Sequence, residues 1–240
     1  MAWDESARKP RVAVCMLFKE DTIYKDMFKA GIAFQREPGW LFFFQTSIPR
    51  VDIARNVAAS QAYHSGAEYL FFWDSDVNPP PNIVPRLMLH GLPMVSGLYW
   101  RRHPKIFPEV FRKNAQGIPV PMTNDELKAM QGSLIECDVV GLGCSLIHRT
   151  VLEKLAEKSE RFRLLDPESG DEVEVIRFME FKMEDRVTIS EDANFCSRVQ
   201  NELGYKIFCD LGVTCGHLCA AEVWDNKLDF PALVYGRERT

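Results

Sequence analysis

Apolar and polar positions fall into alternating blocks over the first hundred residues. "RVAVCMLF" (11–18) is a continuous β-branched and apolar run, the pattern of a strand buried on both faces. "DTIYKDMFKAGIAFQ" follows, with Ile23, Met27, Ala30 and Phe34 at helical spacing. "EPG" breaks that helix, and "WLFFFQTS" reads as a second strand. "VDIARNVAASQAYHSG" is a helix by composition; Ile53, Val57, Ala58 and Ala62 form its apolar face, and Gly66 stops it. "AEYLFFW" is a third strand. "PNIVPRLMLHG" is a short helix, kinked or started late by Pro85, and "LPMVSGLYW" is another strand. Strand and helix alternating with short connections predict an α/β fold, with a parallel, doubly wound sheet and helices on both faces. In such sheets ligands bind beyond the carboxyl ends of the strands.

The second half is less regular. Residues 112–136 are polar, with two prolines and two glycines, and read as a long excursion or small hairpin. "CDVVGLGCSLIHRTVLEKLAE" gives a strand, a Gly-x-Gly bend and a helix; "LLDPESGDEVEV" contains a turn. "SEDANFCSRVQNELGYKIFCDL" gives a helix capped by Ser190, a stop at Gly204 and a last strand. With no repeat and no low-complexity linker, the 240 residues read as one domain.

Composition narrows the picture. At 46% hydrophobic residues the chain buries a core without staples, and a net charge of −5 with no long basic run speaks against nucleic acid as a partner. The charged start "MAWDESARKPR" lacks the apolar stretch of a secretory signal, and no apolar run is long enough to span a bilayer, so a cytoplasmic protein is expected. Of seven cysteines, Cys15, Cys137, Cys144 and Cys196 lie in apolar runs and read as buried reduced thiols. Cys209, Cys215, His217 and Cys219 crowd together, but without a CxxC pair or the spacing of a common zinc module.

Several polar groups fall at predicted strand ends or helix starts. "LFFWDSDVNPP" (70–80) drives an apolar strand into Asp74-Ser75-Asp76, where two carboxylates one residue apart suit Mg²⁺ or Mn²⁺ bridging to phosphate; a solvated turn is the plain alternative. Glu191 and Asp192 sit in the first turn of a capped helix, where acids complement the dipole and Asp192 could act as a general base. His217, after the last strand, could supply a nitrogen ligand beside carboxylates. Arg50, Asp52, Arg55 and Asn56 start a helix, a place that favours anions, and Arg101 and Arg102 follow a strand. The Gly-x-Gly of "VVGLGCS" is no dinucleotide fingerprint.

Taken in order, "RVAVCMLFKED", "ARNVAASQAYHSGAEYLFFWDSDV", "VVGLGCSLIHRTVLEKL" and "SEDANFCSRVQNELGYKIFCDLGVTCGHL" resemble the GT-A fold glycosyltransferases of the family 2-like, DxD-containing type. The second strand departs from that family, ending in "FFFQTS" rather than an acidic pair, and "LFKED" resembles retaining enzymes of the mannosylglycerate synthase type. The resemblance implies a Rossmann-like single domain with a mostly parallel central sheet. Its nucleotide-binding half is about 11–101, its acceptor half about 102–220 and its tail 221–240. It implies transfer of a hexose, by inversion in preference to retention, from a UDP- or GDP-sugar to a glycan, lipid or small-molecule hydroxyl. Asp76 and His217 would bind Mn²⁺ or Mg²⁺, with Asp74 reaching the metal or the ribose. Leu17, Phe18, Lys19, Glu20, Arg50, Arg55, Asn56, Ser75 and Arg101 would line the donor site, and Asp192, with Glu191 the second choice, would be the base. The alternatives are a non-catalytic nucleotide-sugar-binding protein and a metal-dependent phosphohydrolase.

Overall fold

The computed structural model describes residues 11–18, 31, 39–45, 50–101, 106–165, 170–184 and 187–217. The helix expected from "DTIYKDMFKAGIAFQ", together with Lys19, Glu20, Arg102, Cys219 and the tail, lies outside the described residues.

A seven-stranded sheet organises the molecule. Its strands are β1 (Val12–Leu17), β2 (Leu41–Gln45), β3 (Tyr69–Asp74), β5 (Met94–Leu98), β8 (Leu134–Cys137), β10 (Cys144–His148) and β15 (Ile207–Thr214), in the order β2-β1-β3-β10-β5-β15-β8. β1 runs parallel to β2 and β3, and β5 runs parallel to β15. β10 is inserted antiparallel between β3 and β5, and β8 closes the edge antiparallel to β15. Five strands therefore share one direction, and the sheet is mixed rather than purely parallel. It draws strands from both halves of the chain.

The period-two pattern separates two cores. Ala13, Cys15, Leu17, Leu70 and Phe72 face α1 (Val51–His64), α4 (Arg149–Ala156) and α5 (Glu191–Asn201). Val12, Val14, Met16, Phe71 and Trp73 face α2 (Ile83–Met88). Pro85 stands in the first turn of α2, where its missing N–H costs no helical hydrogen bond. In α1 the buried face differs from the expected one. Ala54, Ala58 and Ala62 are buried together with Arg55, Asn56 and Ser60, whereas Ile53 and Val57 are half-buried. Small alanines let the helix approach the sheet closely, and that close face carries the polar residues inward with it.

The polar excursion after β5 forms β6 (Val110–Lys113), β7 (Pro119–Pro121) and α3 (Asn124–Ala129), which is held by a Thr123/Glu126 capping box. β6 also pairs with β9 (Val139–Val140). The hairpins β11 (Arg161–Leu165)–β12 (Glu172–Ile176) and β13 (Lys182–Glu184)–β14 (Val187–Ile189) precede α5. Short β4 (Val77–Asn78) and β16 (Gly216–His217) pair antiparallel beyond the carboxyl end of β3. No described helix is long and apolar enough to cross a membrane.

Candidate functional site

β1 and β3 end side by side, with Leu17 opposite Asp74. The turn beyond β3 is held by backbone and side chain: Ser75 N–H donates to Leu17 O at 3.0 Å, and the buried Trp73 Nε1–H donates to Val77 O at 2.7 Å. This holds Asp74, Ser75 and Asp76 at the carboxyl edge. From the far end of the chain, the β4–β16 pairing sets His217 opposite Val77. His217 Nε2 comes within 3.3 Å of Asp76 Oδ1. Its other nitrogen, Nδ1, is 2.6 Å from Trp100 O, and since a carbonyl can only accept, Nδ1 carries a proton and the ring is oriented with Nε2 toward the carboxylate. The ring packs edge-on against Tyr99, with centroids 5.7 Å apart.

Asp74 turns the other way, into a buried ionic cluster. Arg55 Nη2 donates to Asp74 Oδ2 at 3.0 Å; Arg55 Nε lies 3.4 Å from Glu191 Oε1 and 3.5 Å from Asp192 Oδ1. The guanidinium rests over the Phe72 ring. One cation thus faces three carboxylates. Arg55 Nη1, Asp74 Oδ1 and Asp192 Oδ1 are buried without a hydrogen-bond partner among the described residues. Burial, opposed by Arg55 and reinforced by Glu191 and Asp74, pushes the Asp192 carboxyl well above the ordinary range. Burial alone would lower the Arg55 guanidinium, but Asp74, Asp192 and Glu191 hold it above its usual value. α5 begins as its sequence indicates: Ser190 Oγ accepts from Ala193 N–H at 3.3 Å, which presents Glu191 and Asp192 in the first turn.

Four contributors had no signal, or a misleading one, in the sequence. Tyr99, buried, receives a hydrogen bond on its hydroxyl from Gly143 N–H at 3.1 Å; burial and the charges of Asp192 and Asp74 push its phenol well up. Glu109 stands close by, its carboxyl raised mainly by burial and moderated by Arg101. The Gly-x-Gly bend serves packing. A Cβ at Gly141 would fall on the Tyr99 hydroxyl, and one at Gly143 would lie 2.6 Å from Asp74 Oδ2. Both glycines are therefore needed for space beside the acidic cluster.

The remaining expected donor-site residues are spread out. Leu17 and Phe18 lie at the edge, Phe18 against the Phe44 ring. Arg101 is exposed, its guanidinium over Phe107 and its side chain on the wall of a cleft of 960 Å³. That cleft is also lined by Glu109, Phe111, Gly141, Glu191 and Asp192. Arg50 is engaged by Asp52 at 2.6 Å. Asn56 is directed into the protein instead. Its amide N–H donates to Met179 O at 2.7 Å, and its carbonyl accepts from Phe178 and Met179 N–H at 2.8 and 3.0 Å. These three hydrogen bonds fasten the segment before β13. The structure brings together Asp74, Glu191 and Asp192 around Arg55, and Asp76 with His217; among the described residues it forms no cluster of three or more potential metal ligands.

The Asp76–His217 pair offers one oxygen and one nitrogen. That donor set would suit a divalent cation that accepts both oxygen and nitrogen, Mn²⁺ better than Mg²⁺.

No protein-family model and no curated protein matches the chain. Solved structures do. The chain is similar to A197 from STIV, with a TM-score of 0.53 at 16% identity, over 86% of this chain and 85% of that one. It is also similar to GalNAc-T7, solved with UDP, GalNAc and Mn²⁺, at a TM-score of 0.48 and 12% identity over 90% of this chain and 44% of that one. A glycosyltransferase involved in glycosylating the major capsid of PBCV-1 aligns at a TM-score of 0.36 and 16% identity, over 60% of this chain and 63% of that one. The likeness to A197 covers most of both chains and shows a shared fold.

Proposed function

We propose that the protein is a metal-dependent glycosyltransferase that moves a sugar from a nucleotide-diphosphate donor to an acceptor hydroxyl. One observation carries the reading: Asp76 and His217, far apart in sequence, meet at 3.3 Å at the sheet's ligand edge, with the imidazole oriented by Trp100 O. The charge of the site supports it. Asp74, Asp76 and Glu191, even before the raised carboxyls of Glu109 and Asp192 are counted, outnumber the Arg55 and Arg101 cations, so an anionic diphosphate needs a divalent cation to approach. Asp76 and His217 would hold that ion directly; when bound, it supplies stabilisation of the charge that develops on the leaving diphosphate.

The protein's own groups divide the rest. Arg55 holds Asp74 beside the donor pocket instead of contacting the diphosphate itself. Arg101, on the cleft wall, is placed to pair with anionic donor groups. Leu17, Phe18 and Ser75 border the nucleotide side. Asp192, its carboxyl made more basic by burial, is suited to accept the acceptor's proton, and the cleft of 960 Å³ beside it accommodates the acceptor. Glu191, buried against Arg55, is less able to reach an acceptor.

Thermal-shift titration with Mn²⁺ and a panel of UDP- and GDP-sugars tests this. A metal-dependent rise in melting temperature with one donor, and slow release of free nucleoside diphosphate, are expected. Both should vanish in Asp76→Ala and His217→Ala. Unchanged donor binding in both variants would overturn the metal assignment.

A further inference from the structure

Six described cysteines are buried thiols, but they are not alike. Cys15, Cys137 and Cys196 each point at a backbone carbonyl, those of Ala58, Ile207 and Val140, at 3.5, 3.7 and 3.7 Å. Cys144 and Cys215 point at each other, with their sulfurs 3.0 Å apart. We propose that Cys144 and Cys215 form a disulfide bond under oxidising conditions, stapling the start of β10 to the segment that leads into His217.

The approach is imposed by the backbone around it. Cys144 is paired with Trp73 across β3, and its carbonyl accepts from Ser96 Oγ at 2.9 Å. Cys215 N–H donates to Leu98 O at 2.8 Å. Between the two strands stands Gly97, where a Cβ would lie 3.1 Å from Cys215 Sγ and 3.3 Å from Cys144 Sγ. A glycine at that position leaves the two sulfurs room to meet. About one ångström of closure separates them from bonding distance.

The chemistry balances by exchange with a small-molecule disulfide. One cysteine thiolate attacks it, releasing one small thiol and forming a mixed disulfide. The second thiolate then displaces the second small thiol and closes the protein bond. Two protons and two electrons leave the cysteine pair, and the small disulfide is reduced to two thiols. Both thiols are at most 1% exposed, and burial, followed by the hydrogen bond to Cys215, holds the Cys144 thiol well above its ordinary range. Exchange therefore runs through local opening of the short β4–β16 pair, and the closed bond is shielded from reductant in the same way. The staple anchors the strand bearing His217. Its consequence for metal binding rests on the functional reading above, whereas the bond itself does not.

The experiment is to incubate the full chain with excess oxidised glutathione in sub-denaturing urea, return it to buffer, alkylate in denaturant and map peptides by mass spectrometry. A dithiothreitol-reversible Cys144–Cys215 peptide is expected, two hydrogens lighter than the reduced pair, with a melting temperature raised by about 5–15 °C. Cys144→Ala and Cys215→Ala should each remove the linked peptide and the oxidant-dependent rise. Wild-type protein with both thiols still alkylatable overturns the proposal, as does a link that joins either residue to Cys219 instead. The mapping is decided on wild-type protein, so it stands even if a variant folds poorly.

Discussion

Two of the ionic clusters among the described residues are composed differently. On the α2 side, Asp210 of β15 accepts from Arg86 Nε and Nη2 at 3.0 and 3.2 Å, lies 3.0 Å from His90 Nε2, and accepts from Gly212 N–H at 2.8 Å. Both of its oxygens have partners. Burial alone would raise that carboxyl, yet His90, Arg86 and the Gly212 N–H bring it below the ordinary range. On the α1 side, one guanidinium serves Asp74, Glu191 and Asp192, and three polar atoms stay buried without hydrogen bonds among the described residues. The first cluster is complete in itself and pins the bulge between Asp210 and Thr214. The second is left short of positive charge, with one donor, Arg55 Nη1, and two carboxylate oxygens unpartnered among the described residues. An incomplete buried cluster costs stability, and two of its acids, Glu191 and Asp192, line the wall of the cleft.

Removing each cluster's arginine gives the largest contrast. Arg55→Met strands three carboxylates around a buried side chain of 3% exposure, and should cost about 3–5 kcal/mol in urea unfolding. Arg86 is 41% exposed, and His90 and Gly212 remain to serve Asp210, so Arg86→Met should cost about 1–2 kcal/mol. Equal losses would mean that the two clusters are not energetically distinct.

Next in size is Asp210→Asn. The amide keeps the shape, loses the charge and turns a donor toward Arg86 or His90, an expected loss of about 2–3 kcal/mol. The complete cluster thus predicts destabilisation on neutralising its acid. The incomplete cluster predicts the opposite sign.

Much of this frame was legible in the sequence, for local reasons. The runs ending at Leu17, Asp74 and Leu98 are buried on both faces, and such runs become interior strands of a sheet. Ser190 and Gly204 bound α5 through short-range capping and left-handed geometry, φ +69° at the glycine. Position within the sheet was not legible. β10 enters antiparallel between β3 and β5, and nothing local in "CSLIH" distinguishes that from a parallel partner. Arg55 was misleading for a similar reason. An arginine at a helix start reads as an anion site, but the alanines of α1 turn that face to the sheet, and acids from α5 and β3 arrive there only through tertiary packing. Glu109 carries no local pattern at all, and Gly141 and Gly143 reveal their purpose only once Tyr99 and Asp74 stand beside them.

Asp192→Asn is the smallest effect and the most discriminating. Neutralising Asp192 removes one of three acids around Arg55 and relieves a carboxylate that burial disfavours when ionised. At neutral pH the variant should melt about 2–4 °C higher than wild type, while the proposed transfer activity is lost. The pH dependence follows from the direction of the shift. A carboxyl raised on folding helps the folded state below the ordinary carboxylate range, and that contribution fades as pH climbs to the raised value. The variant's advantage should therefore be absent in acid, grow as pH rises above the ordinary carboxylate range and level off past the raised value. Asp210, lowered on folding, should show the reverse against Asp210→Asn: its contribution is present above the ordinary range and lost as pH falls toward the lowered value. Parallel melting curves across pH for the two variants check both slopes. Slopes of the same sign would collapse the distinction between a cluster completed by the fold and one left open at the cleft wall.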